Sequence, residues 1–337
     1  MRVKHWITLL CIGIIIYACN KAIDHLPVAF RKPAGWPDPI YHFETNPVTE
    51  AGFLLGRKLF NEPRLSRNNT ITCSFCHIQT SAFTHHGHDV SHGIDDRLGS
   101  RNSPPIMNLA WSPTLMWDGG IFDLDLQPIA PITNFVEMDE NMDTVLDRLR
   151  RTPAYPPLFK KAFGTEEVTT ARMLKALSQF MLLCVSDNSK YDSVQRRQAS
   201  FTTAEEKGYR LFQSKCSECH KEPLFTDFSF RDNGIGVGPN DDKGRYLMTL
   251  QPSDMYKFKV PSLRNLSFTA PYMHDGRFYS LDAVLDNYRN GIHQTPNLDS
   301  LLRNGISMTD EEKASIIAFL QTLNDKYFVN NKLLEQP

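Results

Sequence analysis

Two short motifs in the sequence each combine two cysteines with an adjacent histidine. They are Cys73-Ser74-Phe75-Cys76-His77 and Cys216-Ser217-Glu218-Cys219-His220. Two thiols at this spacing can form thioether bonds with the two vinyl groups of one porphyrin, and the histidine that follows can bind the iron. Zinc binding is the alternative use of paired cysteines, but a histidine directly after both pairs favours haem. The sequence therefore predicts two covalently bound c-type haems, with His77 and His220 as proximal iron ligands.

The first 19 residues differ in composition from the rest of the chain. Arg2 and Lys4 precede an apolar stretch over residues 6–18, which is shorter than the roughly 20 residues of a transmembrane helix. This arrangement is typical of a secretory signal. Residues 16–19 resemble a bacterial lipoprotein cleavage site, which predicts Cys19 as the lipidated first residue of the mature chain. The alternatives are an ordinary cleaved signal and an uncleaved anchor, and all three indicate a periplasmic protein that touches the membrane only by its anchor.

The composition of the whole chain is that of a folded globular protein, with 41% hydrophobic and 22% charged residues. The formal net charge of −1 leaves no basic field that would indicate a nucleic-acid partner. Cys11 and Cys19 lie in the signal, and four further cysteines belong to the two motifs. The remaining cysteine, Cys184, continues the helical spacing of Leu177 and Met181. It is expected to be a buried, unreactive thiol rather than part of a disulfide framework.

A short repeat lies before each motif and indicates an internal duplication. Residues 56–60 read Gly-Arg-Lys-Leu-Phe, and residues 208–212 read Gly-Tyr-Arg-Leu-Phe. Each follows a helix-start signature, which is Thr49 with Glu50 in the first case and a capping box of Thr203 and Glu206 in the second. The fold class predicted is therefore mainly α, with two tandem cytochrome c-like domains, long loops and little strand.

Further helix signals divide the chain. A helix is predicted from about residue 170 to 185, and a last helix begins at a capping box of Thr309 and Glu312. The domain boundaries that follow are a signal over 1–19, a proline-rich tether or wrapping segment over 20–44, an N-terminal haem domain over 45–195 and a C-terminal haem domain over 196–330.

Other blocks of sequence carry a resemblance to a known family. They are Leu-Gly-Arg-Lys-Leu-Phe at 55–60, Arg-Leu-Ser at 64–66, Arg-Asn-Ser-Pro at 101–104, Trp-Asp-Gly at 117–119, Glu-Met at 137–138, Val-Pro-Ser-Leu-Arg-Asn at 260–265 and Ala-Pro-Tyr-Met-His-Asp-Gly at 270–276. Together these blocks resemble the bacterial di-haem cytochrome c peroxidases and their relative MauG, the methylamine-utilisation maturation enzyme. The resemblance extends from about residue 46 to 323.

The resemblance implies a role for each haem and for several side chains. The N-terminal haem would be peroxidatic, and the C-terminal haem would pass electrons to it. Gln127 and Glu137 match the distal pair of the peroxidatic haem, where Glu137 would be the acid/base, Gln127 would orient peroxide, and Pro131 would line the pocket. Trp117 matches a tryptophan that relays electrons between the haems. Without the resemblance, Glu137 reads as a solvated carboxylate, Gln127 as a surface amide and Trp117 as a core aromatic.

The resemblance also implies a calcium ion between the haems. Asn102, Thr269 and Pro271 match its oxygen ligands, the last two through their backbone carbonyls, and oxygen ligands suit a hard cation. His274 matches a histidine at the haem interface, and a structural histidine is the alternative reading.

The second axial ligand of the C-terminal haem departs from the peroxidase pattern. Peroxidases of the family usually have methionine where this chain has Tyr288, as MauG-type members do. Tyrosinate would stabilise ferric iron and lower the potential. Leu281, Val284, Leu285 and Tyr288 also fit one apolar helix face, and the other candidate ligands are Met255, Met273 and Met308.

The loop after the first motif departs as well. Many peroxidases keep a histidine ligand where this chain has Ile94, so the N-terminal haem is predicted to be five-coordinate. The same loop contains four histidines, His85, His86, His88 and His92. One of them could supply the iron ligand after a small shift in alignment, or the four could form a weak metal site. A solvated cluster is the favoured interpretation. Gly120 stands where peroxidases commonly have arginine.

The leading functional hypothesis is a di-haem cytochrome c peroxidase. It would reduce hydrogen peroxide to water with electrons from a small cytochrome c or copper protein. The alternatives are a MauG-like oxidase or maturase acting through a high-valent di-haem state, and a non-catalytic di-haem electron carrier. The resemblance would also favour a homodimer.

Overall fold

The computed structural model describes residues 28–238 and 240–337, so the predicted signal and Cys19 lie outside the described residues. This part of the chain is mainly helical, with long loops and a single two-stranded antiparallel sheet of β1 (Phe230–Arg231) and β2 (Phe258–Lys259). The predicted class, mainly α with little strand, is therefore confirmed. Within the described residues, none of the helices combines the length and the apolar composition needed to cross a membrane.

The α-helices found in the described residues differ widely in length. In chain order they are α1 (Glu50–Phe60), α2 (Cys73–Cys76), α3 (Ile129–Thr133), α4 (Met142–Arg151), α5 (Tyr155–Phe163), α6 (Thr170–Leu182), α7 (Lys190–Gln195), α8 (Thr203–Lys215), α9 (Tyr246–Thr249), α10 (Leu281–Asn290), α11 (Asp310–Gln321) and α12 (Lys326–Val329).

The repeated glycine of the sequence lies at a helix crossing in both halves. In the first half α1 crosses α6, and a Cβ on Gly56 would lie 1.9 Å from the carbonyl oxygen of Ala176. In the second half α8 crosses α11, and a Cβ on Gly208 would lie 1.9 Å from the carbonyl oxygen of Ser315. Only glycine allows two backbones to approach this closely. The sequence repeat therefore encodes a repeated helix pair.

The phenylalanine of each repeat completes the same crossing. The ring of Phe60 lies 4.7 Å from the ring of Phe180 in α6, and the ring of Phe212 lies 5.0 Å from that of Phe319 in α11. All four side chains are buried. Each crossing therefore has a glycine contact on one turn and an aromatic contact on the next.

The capping box predicted for α8 is wrong by one residue. Thr202 caps the helix, and Glu205 accepts a hydrogen bond from the Thr202 backbone. Thr202 has the extended backbone of an N-cap (φ −70°, ψ 167°), whereas Thr203 is already the first residue of the helix. The pairs 202/205 and 203/206 both fit the Thr-x-x-Glu pattern, so the pattern alone could not choose between them. At α11 the predicted box of Thr309 and Glu312 is confirmed.

Two hydrophobic cores are found in the described part of the chain. The first is built around α1, α4, α5 and α6, and the second around α8, α10 and α11. Residues 28–44 pack along the first core, where Trp36 is buried and the carbonyl oxygen of Pro37 accepts a hydrogen bond of 2.9 Å from the indole of Trp111. Cys184 is fully buried in the first core, and this burial raises the pKa of its thiol, as expected of an unreactive cysteine.

A buried ion pair joins three separate parts of the chain. Arg264 is fully buried, and its two terminal nitrogens each lie 2.8 Å from a carboxylate oxygen of Asp192 in α7. Its guanidinium also lies 4.8 Å from the ring centre of Trp36. The pair therefore connects the segment between the two cores with the 260–265 block and the wrapping residues.

Candidate haem sites

The first haem-attachment motif forms α2 and the residue that follows it. The side chain of Thr72 caps this helix by accepting a hydrogen bond from the Phe75 backbone. Nδ1 of His77 lies 2.8 Å from the carbonyl oxygen of Phe83, and burial lowers the pKa of the imidazole. A carbonyl acceptor at Nδ1 fixes the neutral tautomer with Nε2 free to bind a metal. The geometry of His77 therefore fits a proximal haem ligand.

The second motif follows α8 directly, with Cys216 as the C-cap residue. Nδ1 of His220 lies 3.1 Å from the carbonyl oxygen of Phe225 and 3.2 Å from that of Pro261. Burial lowers the pKa of His220 as it does for His77. The two histidines therefore have the same tautomer and the same type of acceptor.

A cavity of about 570 Å³, called here the second cavity because it lies beside the second motif, opens next to Cys216. Cys216, Cys219 and His220 all line it, and its remaining wall is mostly apolar. A cavity of this size and polarity is typical of a cofactor site. The residues present therefore fit a covalently held haem.

The helix face that contains Tyr288 forms one wall of this cavity. Leu281, Val284, Leu285 and Tyr288 all line it. The apolar face predicted for α10 therefore borders the haem site as well as the second core, to which Leu285 belongs. Removal from water raises the pKa of Tyr288 to about 12, while a hydrogen bond with Asn233 opposes this rise. Of the other candidate ligands, Met273 and Met308 line the cavity and Met255 does not.

The carboxyl group of Glu137 lies near the first motif. Nδ2 of Asn134 donates a hydrogen bond of 2.9 Å to Oε1 of Glu137, and burial raises the pKa of this half-buried carboxyl. Burial and then the charge of Glu137 raise the pKa of the Cys76 thiol to about 12. Glu137 is therefore a poorly solvated acid within electrostatic range of a haem-attachment cysteine, and not the solvated carboxylate expected without the family resemblance.

The short helix α3 connects the two members of the predicted distal pair. Gln127 lies just before α3, half-buried, with Nε2 at 4.0 Å from Sδ of Met116. Pro131 lies within α3, and its carbonyl oxygen accepts a hydrogen bond of 3.2 Å from the Met138 backbone. This bond folds the chain back just beyond Glu137. The catalytic roles of Gln127 and Glu137 stay predictions.

Ile94 contacts the Glu137 backbone, and three of the loop histidines contact one another. Ile94 is fully buried, and its backbone N–H donates a hydrogen bond of 2.7 Å to the carbonyl oxygen of Glu137. The ring centre of His88 lies 4.2 Å from that of His85 and 4.5 Å from that of His92.

The preferred interpretation of a solvated histidine cluster is wrong for His85. Its side chain is buried and its Nδ1 has no hydrogen-bond partner in the described structure, whereas His86 is exposed. Burial, followed by the neighbouring imidazoles, lowers the pKa of His85 to about 4. Among the residues that the structure describes, no three histidine, cysteine or acidic side chains are grouped to hold a metal ion.

Trp117 and the predicted calcium ligands share the wall of the second cavity. The indole N–H of Trp117 donates a hydrogen bond of 2.8 Å to the carbonyl oxygen of Asn102. Asn102, Thr269, Pro271 and His274 also line this cavity. The ring of His274 stacks on Phe258 at 3.6 Å, as expected of a packed structural histidine. The structure thus brings these predicted residues together, while their functional roles stay predictions.

Gly120 lies beside Met248 in α9. A Cβ at this position would lie 2.6 Å from Sδ of Met248. This sulfur belongs to a flexible side chain that is 51% exposed, so the contact does not explain the absence of a side chain at position 120.

The carbonyl acceptors of both proximal histidines were not among the residues predicted from the sequence. Phe83 and Phe225 provide them, and both residues have a positive φ, 60° and 55°. A Phe-Thr pair follows each motif, at residues 83–84 and 225–226. This second repeat was the signal that could have identified the acceptors. Asn134 and Asn233, which bind the predicted acid and the predicted axial tyrosine, carried no such signal.

Comparisons with known proteins agree with this architecture. A family model described as di-haem cytochrome c peroxidase matches residues 50–200. The methylamine utilization protein MauG of Methylorubrum extorquens is 37% identical over 316 residues, which cover 91% of this chain and 86% of the relative. Cytochrome c551 peroxidase of Pseudomonas aeruginosa is 31% identical over 312 residues, which cover 88% of this chain and 85% of the relative.

Among solved structures, a MauG-like protein associated with microbial copper homeostasis superposes with a TM-score of 0.84 at 32% identity. The match covers 91% of this chain and 99% of that chain. Membership of this group implies two c-type haems, which agrees with the paired geometry of His77 and His220. The chain belongs to the di-haem cytochrome c peroxidase and MauG family.

Proposed function

We propose that the protein is a periplasmic enzyme that reduces hydrogen peroxide to water at the haem held by Cys73, Cys76 and His77. Two electrons and two protons are consumed for each peroxide. The electrons come from a small cytochrome c or copper protein and pass through the haem held by Cys216, Cys219 and His220. The observation that supports this most directly is the half-buried carboxyl of Glu137 beside the first motif, whose pKa is raised by burial.

Glu137 performs the proton transfer in this proposal. The bound haem supplies the iron that binds peroxide and the route by which electrons reach it. The ionised carboxylate accepts a proton from one peroxide oxygen and delivers it to the other, which becomes the leaving water. Burial raises the pKa of Glu137, which brings its proton affinity closer to that needed near neutral pH. Asn134 orients the carboxyl through Oε1, and Gln127 orients the peroxide.

Trp117 would relay electrons between the two haems. Its hydrogen bond to Asn102 holds the indole in the wall of the second cavity. We also propose a calcium ion bound by Asn102, Thr269 and Pro271. The amide nitrogen of Asn102 already donates to the carbonyl oxygens of His88 and Asp89 at 3.1 and 3.2 Å, so Oδ1 is the atom available to a cation, and oxygen donors suit calcium.

A MauG-like oxidase or maturase is the second candidate function. Two observations favour it: Tyr288 lines the second cavity, and Ile94, which cannot bind iron, is buried against the Glu137 backbone. In this alternative, the same peroxide chemistry would oxidise a protein or small-molecule substrate instead of drawing electrons from a donor.

The first test is to mix the fully oxidised holoprotein with one equivalent of hydrogen peroxide and follow the haem spectrum by stopped flow. A rapid spectral change is expected, because the Ile94 side chain has no atom that can bind iron and would leave the first iron open to peroxide. No change would contradict the open site and favour either reductive activation or a non-catalytic electron carrier. A second experiment adds reduced cytochrome c: its catalytic oxidation indicates a peroxidase, whereas a persistent oxidised species with little donor turnover indicates the MauG-like alternative.

We further propose that the mature chain is lipid-anchored through Cys19 and forms a homodimer. When cells are grown with a labelled fatty acid, the parent protein should carry the label and Cys19→Ala should not; an unlabelled parent would contradict the lipid anchor. Light scattering of the purified protein gives its oligomeric state, and a monomeric mass at working concentration would contradict the dimer.

A further inference from the structure

The C-terminal strap, residues 325–334, leaves the second core and returns to the first. Its starting point is fixed by Asp325, which is buried and whose carboxylate accepts hydrogen bonds from the backbones of Asn188 and Phe328, each at 2.9 Å. The backbone N–H of Asp325 donates a hydrogen bond of 2.8 Å to Oδ1 of Asn265. These bonds direct the strap away from α11 and towards the first haem motif.

The strap packs on the segment that follows this motif. Phe328 is 1% exposed, and its ring centre lies 5.6 Å from that of Phe83. Nε2 of Gln79 donates a hydrogen bond of 2.8 Å to the carbonyl oxygen of Asn331, and Arg57 donates one of 2.8 Å to that of Leu333. The last residues of the chain therefore support the turn that presents the Phe83 carbonyl.

The two proximal histidines differ in this support. In the described structure His77 has one carbonyl acceptor, Phe83, whereas His220 has two, Phe225 and Pro261. Phe225 also packs within its own core, with its ring centre 5.6 Å from that of Phe212 in α8. Phe83 likewise packs on Phe60 and Phe180 of its own core, at 6.2 and 6.1 Å. The difference is that His77 has a single carbonyl acceptor, beside which the strap packs, whereas His220 has a second acceptor in Pro261.

We propose that the C-terminal strap, through Phe328, positions the Phe83 carbonyl and thereby sets the reduction potential of the first haem. A hydrogen bond donated from Nδ1 makes the imidazole a stronger electron donor to its metal. A stronger donor stabilises ferric iron and lowers the reduction potential. Phe328 is a positioning residue in this mechanism, because it acts on the iron only through Phe83 and His77.

The test is a spectroelectrochemical titration of the holoprotein, in which the midpoint potentials of the two haems are measured separately. Phe328→Ala should shift the potential of the first haem upward and leave that of the second unchanged. Phe328→Leu, which keeps most of the apolar contact, should return the potential towards that of the parent. Gln79→Ala removes a hydrogen bond to the strap without opening a cavity, and it should give a smaller upward shift in the potential of the first haem. This variant replaces Phe328→Ala in the test if Phe328→Ala does not fold.

A matched control separates positioning from general destabilisation. Phe159→Ala removes an equally buried ring from the same core in α5, so it should lower stability without moving either potential. Exchange of the His77 Nδ1 proton, followed by NMR, should quicken in Phe328→Ala and not in Phe159→Ala. Equal potential shifts in the two alanine variants, or no shift in Phe328→Ala and Gln79→Ala, would overturn the proposal. None of these measurements uses peroxide, so their outcome is independent of the proposed activity.

Discussion

Replacing Glu137 with glutamine removes a titratable group beside the first haem motif while keeping the size of the side chain. Asn134 donates a hydrogen bond of 2.9 Å to Oε1 of Glu137, and the amide oxygen of glutamine can accept the same bond. The variant should therefore fold and bind both haems like the parent protein. What it loses is the ability to accept a proton from bound peroxide.

The expected loss of rate follows from the role assigned to the carboxylate. A positioned acid/base group contributes about 10²–10⁴-fold to a reaction, which is roughly 2.7–5.5 kcal/mol of activation free energy. The second-order rate constant for peroxide should therefore fall at least about 100-fold in Glu137→Gln.

The pH dependence adds a second signature. Only the ionised carboxylate accepts a proton, and burial raises the pKa of Glu137. The rate of the parent should therefore decline as the pH falls through this raised pKa, at a higher pH than for an ordinary glutamic acid with a pKa of about 4.3. Glu137→Gln should lack this decline.

Stopped-flow mixing of oxidised holoprotein with peroxide over a series of pH values measures both effects. Glu140→Gln is the matched control, because Glu140 lies three residues further along the chain, is buried and pairs with Arg148. This change should lower stability and leave the rate constant unchanged. A glutamine variant at position 137 that reacts as fast as the parent, with the same acid limb, would refute the assigned role.

Three further predictions concern packing, charge and ligation. Gly56→Ala and Gly208→Ala should each destabilise the fold by about 1–3 kcal/mol, because each new Cβ would lie 1.9 Å from a carbonyl oxygen. At an open helix position the same change would stabilise the fold by roughly 0.5–1 kcal/mol. The sign of the change in unfolding free energy, measured by denaturant unfolding, therefore decides whether the crossings exist. Asp192→Asn should cost about 3–5 kcal/mol, because Arg264 would be left buried without a counter-charge. Burial opposes ionisation of Asp192, but the hydrogen bonds from Arg264 outweigh burial and lower the pKa of Asp192. The ion pair therefore stabilises the fold above the unfolded pKa of about 3.9, and this stabilisation is lost as the pH falls through the lower pKa of the folded state. An acid-unfolding curve as steep in the variant as in the parent would contradict this linkage. Tyr288→Met should raise the midpoint potential of the second haem, because a thioether stabilises ferric iron less than tyrosinate does; an unchanged potential in spectroelectrochemistry would show that Tyr288 is not the ligand.

The parts of the site that sequence could predict are those governed by local rules. A CxxCH motif brings two thiols and an imidazole together within one turn, whatever the rest of the fold does, so both haem positions could be predicted directly. The helix start at Thr309 is equally local. The misplaced cap at Thr203 shows the limit of such rules, because two overlapping Thr-x-x-Glu patterns satisfy the same requirement and packing selects one of them.

The tertiary structure decided what each predicted surface faces. Helical periodicity predicted that Tyr288 shares an apolar face with Leu285, but the same period fits a protein core and a cofactor cavity, and only the folded chain shows the cavity. The sequence of the histidine-rich loop predicted a solvated cluster, yet packing buries His85 and lowers its pKa to about 4. Burial depends on the segments that cover a residue, which its own neighbours in sequence do not specify.

Contacts between distant segments lie furthest from what a sequence pattern can predict. Phe328 meets Phe83, and Met248 lies beside Gly120, across long separations in sequence. By itself the sequence determined the covalent chemistry, the helix pairs and the family resemblance, because motif spacing and periodicity encode these. Only the tertiary structure decided which carbonyl accepts a hydrogen bond from each histidine and that residues 325–334 pack beside the first motif, because those contacts arise when remote segments close-pack.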